Sequence, residues 1–168
     1  MQKWQDDQMY LAIVEDLLAS EKIQALANYT QHHHSDRLTH SIAVSYTSFR
    51  WALRLGLNAT AVARAGILHD MFYYDWRETK FELGSHAFIH PRVALRNAEK
   101  LTPLSPMEKD IILKHMWGAT ISLPQYRESL LLDMVDDYLA IAEFFTPLQQ
   151  KWNVLKQRKN VLLGNFQK

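Results

Sequence analysis

Ala59-Thr-Ala-Val-Ala-Arg-Ala-Gly-Ile-Leu-His69-Asp70 is the stretch that decides how this chain is read. Ten residues carry a single charge, Arg64, and then meet an imidazole and a carboxylate side by side. A run that apolar belongs inside a protein. An imidazole and a carboxylate at its end are costly to bury without partners. A metal ion removes the difficulty, because it takes neutral His nitrogen and carboxylate oxygen as ligands. The plainer alternative is a His bonded to its neighbours and an Asp that caps a helix.

The flanking sequence reads as helix on both sides. Before the run, Asp6 or Asp7 can cap a helix to about Ala19, with Met9, Ile13, Leu17 and Leu18 on one face. Ser20 opens a second, short helix. Gln31-His-His-His-Ser35 follows, and consecutive histidines point in different directions, so they read as surface. Ser35 is the expected N-cap of a helix that carries Arg37 and His40 early, then Val44, Phe49, Trp51 and Leu55, and stops at Gly56. Asn58 caps the apolar helix itself.

After Asp70 the helical pattern breaks. Residues 71–89 form an expected loop with six aromatics, a candidate lid over whatever the His-Asp pair does. His90-Pro91 reads as a helix start, with His90 at or beside the N-cap and His86 off that helix. Ser105-Pro-Met-Glu108 is a capping box for a helix carrying Ile111, Ile112 and His115 and ending at Gly118. Residues 128–145 are strongly apolar, interrupted by Asp133, Asp136 and Asp137. Thr146-Pro147 caps a C-terminal helix over 147–163 with Leu148, Trp152, Leu155 and Leu162 on one stripe. No strand pattern competes. The expectation is all-α: a single-domain helical bundle over 1–168, roughly seven or eight helices, its site within 35–145.

Composition narrows the chemistry. The net charge of +1 gives no support to a surface for a nucleic-acid polymer. No cysteine is present, so disulfides and thiolate metal sites are excluded, and any metal rests on His, Asp and Glu. The N-terminus does not read as a signal peptide, and no stretch of about 18 apolar residues exists to span a bilayer. A cytoplasmic protein, with no membrane role and free to form oligomers, is the expectation.

Polar residues set into otherwise apolar helices are His40, His69, Asp70, His115 and Asp136, with His90 at a helix start. Imidazole nitrogen and carboxylate oxygen suit Mn, Fe, Co, Ni or Zn, and bundle cores build such sites from facing helices. The order His, His-Asp, His, His, Asp resembles the HD-domain metal-dependent phosphohydrolases. The pieces that carry the resemblance are Arg37-Leu-Thr-His40-Ser-Ile-Ala-Val, Gly66-Ile-Leu-His69-Asp70, His90-Pro-Arg-Val-Ala-Leu, Ile112-Leu-Lys-His115 and Met134-Val-Asp136-Asp-Tyr-Leu-Ala-Ile-Ala-Glu143.

The resemblance implies an HD-type helical domain in which His40, His69, Asp70 and Asp136 are core ligands. His90 and His115 match the extra pair of members that hold two metals, with Asp70 bridging. Asp137 stands where the family often has a basic residue. The implied reaction is hydrolysis of a small phosphate ester, nucleotide-like and conceivably a dinucleoside polyphosphate, with one or two divalent transition ions. Asp70 is then catalytic as well as a ligand. Arg37, one turn before His40, and Lys114, beside His115, are the expected cations for the phosphoryl group. Arg77, His86 and Trp76 are expected to touch substrate, Trp76 by stacking on a base beside Phe72, Tyr73 and Tyr74. Two rivals stand beside this: a non-catalytic nucleotide-sensing module, and a di-iron oxygenase on the same fold.

Overall fold

A computed structural model describes residues 3–32, 35–82 and 84–143. Seven α-helices lie among them: α1 (Gln8–Leu18), α2 (Glu21–Gln24), α3 (Arg37–Leu55), α4 (Ala59–Leu68), α5 (His86–Glu99), α6 (Pro106–Lys114) and α7 (127–143). Two short strands, β1 (Thr30–His32) and β2 (Ser35–Asp36), pair antiparallel just before α3. The fold is all-α with this small hairpin added. The C-terminal helix expected over 147–163 lies outside the described residues, as do His33 and His34.

Local chemistry sets the helix ends. Asp7 accepts from the backbone N–H of Tyr10, and Asn58 from that of Ala61. Ser105 and Glu108 complete a reciprocal capping box with Pro106 at the first helical position. Gly56 ends α3 at φ 65°, a left-handed C′ conformation that glycine adopts without steric cost. The cap of α3 is Asp36, whose side chain accepts from Thr39 N–H, and not Ser35. Ser35 belongs to β2 and gives its hydroxyl proton to Glu143 at 2.5 Å. On α1 the buried face is Tyr10, Val14 and Leu17, while Met9 is 61% exposed. Leu17 is common to this face and the expected stripe, and Ile13 and Leu18 pack partly buried against the core, so Met9 alone departs from it.

α4 is the centre of the molecule. Ala61, Val62, Ala63, Ala65, Ile67 and Leu68 are buried, and α3 packs along the helix. Gly66 makes that approach possible: a Cβ there would lie 2.6 Å from Ser45 Cα of α3. Arg64, the one charge of the run, is met from both sides. It donates to Ile13 O at 2.9 Å and to both Asp16 carboxylate oxygens of α1, at 2.7 and 2.9 Å, and it lies 3.7 Å from Glu108 of α6. Ile111 and Ile112 of α6, Ala94 and Ala98 of α5 and Leu132 of α7 complete the core. Each large aliphatic side chain buried there is worth about 1.5–3 kcal/mol. The effect is to fix the last turn of α4, with His69 and Asp70, against α3, α5, α6 and α7.

Candidate metal centre

Three of the histidines share one local device. His69 and His115 are the C-cap residues of α4 and α6, where backbone carbonyls lack helical partners. Each turns its ring back and donates Nδ1–H to the carbonyl three residues earlier, His69 to Gly66 and His115 to Ile112, both at 2.8 Å. His90 does the same inside α5, donating Nδ1–H to His86 O at 2.9 Å. A carbonyl only accepts, so the Nδ1 proton is fixed, and in the neutral ring Nε2 keeps its lone pair. That lone pair points away from the helix into a common space. His40 is held differently: Nδ1 faces Glu143 Oε1 at 3.1 Å and Nε2 faces Asp136 Oδ1 at 2.8 Å.

The common space is small. His69 Nε2 lies 3.7 Å from Asp70 Oδ2 and 3.7 Å from Asp136 Oδ1. Asp70 Oδ1 lies 3.4 Å from His90 Nε2 and 3.6 Å from His115 Nε2. Two donor groups result, His40–His69–Asp136 and His69–Asp70–His115, each with its ligand atoms within 4.8 Å of one another. His69 stands in both. Whether these residues fit a metal is answered by two observations. His69 Nε2 is buried with no hydrogen-bond partner. His90 Nε2 and His115 Nε2 face each other at 2.8 Å, two acceptor lone pairs in contact. A cation satisfies all three atoms, and the oxygen-and-imidazole set suits Mn, Fe, Co, Ni or Zn.

Electrostatics agree with a site built for positive charge. Burial by itself would raise the Asp70 carboxyl, but the rings of His69, His115 and His90 outweigh it and hold it well below the usual carboxylate range. Asp136 is likewise held low, against its own burial, by His69 and His40. Burial works to lower His40, yet its bonds to Asp136 and Glu143 prevail and push it up to about 10. Burial pushes His90 down to about 3 and His86 down to about 4. Near neutral pH, His86 and His90 are therefore neutral rings.

Six expected ligands, His40, His69, Asp70, His90, His115 and Asp136, come together in this one space from α3, the end of α4, α5, the end of α6 and α7. The local settings of two of them differ from expectation. His90 is not a cap, because α5 starts a turn earlier at His86 and carries Pro91 inside it. His86 and His90 therefore share a helix face, with rings stacked at 4.4 Å between centroids. α6 ends at Lys114 with His115 as its C-cap, short of the expected end at Gly118, which lies within a separate 3-10 turn, Trp117–Ala119.

A pocket of about 170 Å³ opens onto these residues, lined by Gln31, Asp70, Trp76, His86, His90, Met116, Asp136, Asp137 and Ala140. Trp76 and His86 reach it as expected and stack on each other at 5.3 Å and 13°. Arg77 is not among the lining residues but covers Trp76, 4.6 Å from the ring centroid, and donates to Gln31 O at 3.3 Å. Arg37 does not behave as a cation awaiting phosphate. Its side chain is fully buried. Nε donates to Gln31 Oε1 at 2.9 Å, Nη1 to Phe72 O at 2.6 Å and Nη2 to Tyr74 O at 3.4 Å, while the plane covers the Phe72 ring at 3.5 Å. It fastens the loop after Asp70 to the start of α3. Lys114 adjoins His115 in sequence but does not line the pocket, because a C-cap ring and its preceding residue point to different sides of the helix.

Two residues of the site carried no sequence signal. Gln31 donates from Nε2 to Asp70 Oδ2 out of a three-residue strand with no periodicity to mark it. Glu143 lay inside the quoted Met134–Glu143 stretch but gains its role only when α7 brings it to His40.

Among known proteins, a family model described as HD domain matches residues 37–141, which spans every residue of the centre from His40 to Asp136. Neither a curated protein nor a solved structure matches the chain. No helix among the described residues is long and apolar enough to cross a membrane.

Proposed function

The chain belongs to the HD domain family, and from that premise we propose that it is a metal-dependent phosphohydrolase acting on a small, nucleotide-like phosphate ester. The observation that carries this reading is the buried, partnerless Nε2 of His69, set between two carboxylates at the floor of an open pocket. In this reading His40, His69, Asp70 and Asp136 would hold a divalent ion, and His90 and His115 would add the ligands for a second. When bound, such ions supply Lewis acidity that polarises a phosphoryl oxygen and makes a water acidic enough to ionise near neutral pH.

The protein's own contribution is orientation. The Nδ1–H bonds to Gly66, His86 and Ile112 lock three rings in one tautomer and one direction, so no reorganisation is needed when charge develops. Asp70 and Asp136 stay ionised, because the surrounding rings outweigh their burial. With Arg37 spent on loop carbonyls, negative charge on the ester is met beside Trp76 by Arg77 and at the floor by the metal site. The Trp76–His86 stack offers a flat wall for a base, and half-enclosure of the pocket limits bulk water around the reacting group. A small-molecule substrate fits a pocket of about 170 Å³ at the scissile end; a polymer does not.

The test begins with metal analysis of protein purified without chelator or nickel resin. A panel of nucleotides, dinucleoside polyphosphates and simple esters then follows, each with Mn, Fe, Co and Ni. Product formation by chromatography, inorganic phosphate from monoesters or shortened nucleotides from diesters and dinucleoside polyphosphates, that depends on the metal and disappears in His69→Ala is the expected result. Metal-loaded protein that hydrolyses no ester on the panel, yet binds a nucleotide tightly, would establish the sensing module instead.

A further inference from the structure

Gln31 joins two groups that cannot bond to each other directly without losing the geometry of the site. Asp70 is an acceptor-only carboxylate, 3% exposed, with Oδ1 turned to His90 and His115. Arg37 is a donor-only guanidinium, fully buried and anchored by Phe72 O and Tyr74 O. An amide offers one acceptor and two donors at opposite ends of a rigid plane. Arg37 Nε takes the acceptor end, Oε1, at 2.9 Å. The donor end, Nε2, then has one orientation left, and it bonds Asp70 Oδ2.

The geometry points to Gln31 as the positioning residue of Asp70: its Arg37-oriented amide holds Oδ2, so that Oδ1 is presented to His90 and His115. This rests on the metal-centre reading above. A carboxylate that is free to rotate about χ2 exchanges its two oxygens; one held by a fixed N–H does not. The amide also removes one lone pair of Oδ2 from competition, which decides how much of that oxygen is left for a metal near His69. Arg37 enters as a second positioning residue acting through Gln31, which accounts for a buried guanidinium that meets no carboxylate directly. Leucine or methionine at position 31 would fill the space but leave Arg37 Nε and Asp70 Oδ2 without partners. Asparagine keeps the amide but, one methylene shorter, reaches one partner and not both.

The experiment is a Co(II) titration of metal-free wild type and Gln31→Met, followed by the visible d–d absorption of the bound ion and by direct metal counting. Loss of a group that orients a metal ligand typically weakens metal affinity about 10–100-fold. Gln31→Met is expected to weaken Co(II) binding at the centre by that factor and to change the absorption of the bound ion. Gln31→Asn, which preserves polarity and guards against a folding failure of the Met variant, is expected to fall between the two. Wild-type Co(II) affinities and spectra in whichever of these variants folds would overturn the role of Gln31 and leave the metal centre standing. A wild-type protein that takes up no Co(II) would overturn both.

Discussion

At the scale of the residue, burial decides which polar groups the fold tolerates and what it makes of them. Asp133 is 4% exposed, and its burial, with Asp137 and Asp136 nearby, pushes its carboxyl up to about 6 although Trp117 N–H bonds it at 3.0 Å. A folded-state value above the unfolded one means that stability is fullest below about pH 4 and is lost as pH rises through about 6. Asp133→Asn keeps an acceptor for Trp117 and removes the charge. Metal-free protein with this change should be more stable by about 1–2 kcal/mol above pH 6, with the gap closing below pH 4, in thermal melts from pH 4 to 8. His115 makes the opposite case, a buried ring whose value lies in what it faces. His115→Ala should keep about one ion per chain and lose most esterase activity, because one of two charges on the phosphoryl group is missing. Equal metal content and turnover in variant and wild type would remove the second ion from the proposal. The residues gathered at this centre were readable in the chain because each is polar within an apolar helix. Gln31 and Glu143 were not, since a side chain that orients a ligand needs only to be near it in space.

At the scale of the element, helix ends carry the site. Caps at Asp7, Asn58, Gly56 and Ser105 were legible because capping chemistry is local and names its residue types. The hairpin of Thr30–His32 and Ser35–Asp36 was not, because strands of three and two residues are too short to show an alternating pattern. The start of α5 was misplaced because Pro91 reads as a first helical residue. Proline inside the helix forgoes its own N–H bond and crowds the carbonyl four residues back, a cost that packing of His90, Ala94 and Ala98 offsets. The α3–α4 contact gives the sharpest element-scale prediction. Gly66→Ala would press a methyl to 2.6 Å from Ser45 Cα, backbone that cannot yield cheaply. Overpacking of this kind costs about 1–3 kcal/mol. Because α4 ends in His69 and Asp70, the variant should lose metal affinity along with Tm; an unchanged Tm would show that α3 can slide.

At the scale of the molecule, five elements converge on one space, so ligand binding and folding are the same equilibrium seen from two ends. An ion that binds only the folded chain stabilises it by about 2.7 kcal/mol per site at 100 times its dissociation constant. For a chain of this size that corresponds to a rise in Tm of roughly 5–10 °C per site, reversed by a chelator and measurable by differential scanning fluorimetry. A Tm indifferent to Mn, Co and chelator would count against any ion at this centre. The all-α architecture was legible because long amphipathic segments state their own period. The convergence of their ends was not, because no local pattern encodes which end meets which. His40 and Asp136, in contact at 2.8 Å, lie 96 residues apart. At a synthesis rate of about 5–20 residues per second, the imidazole is made roughly 5 to 20 s before the carboxylate. During that interval the growing chain holds His40, His69 and Asp70 without Asp136. The full donor set is therefore complete only once α7 has been made.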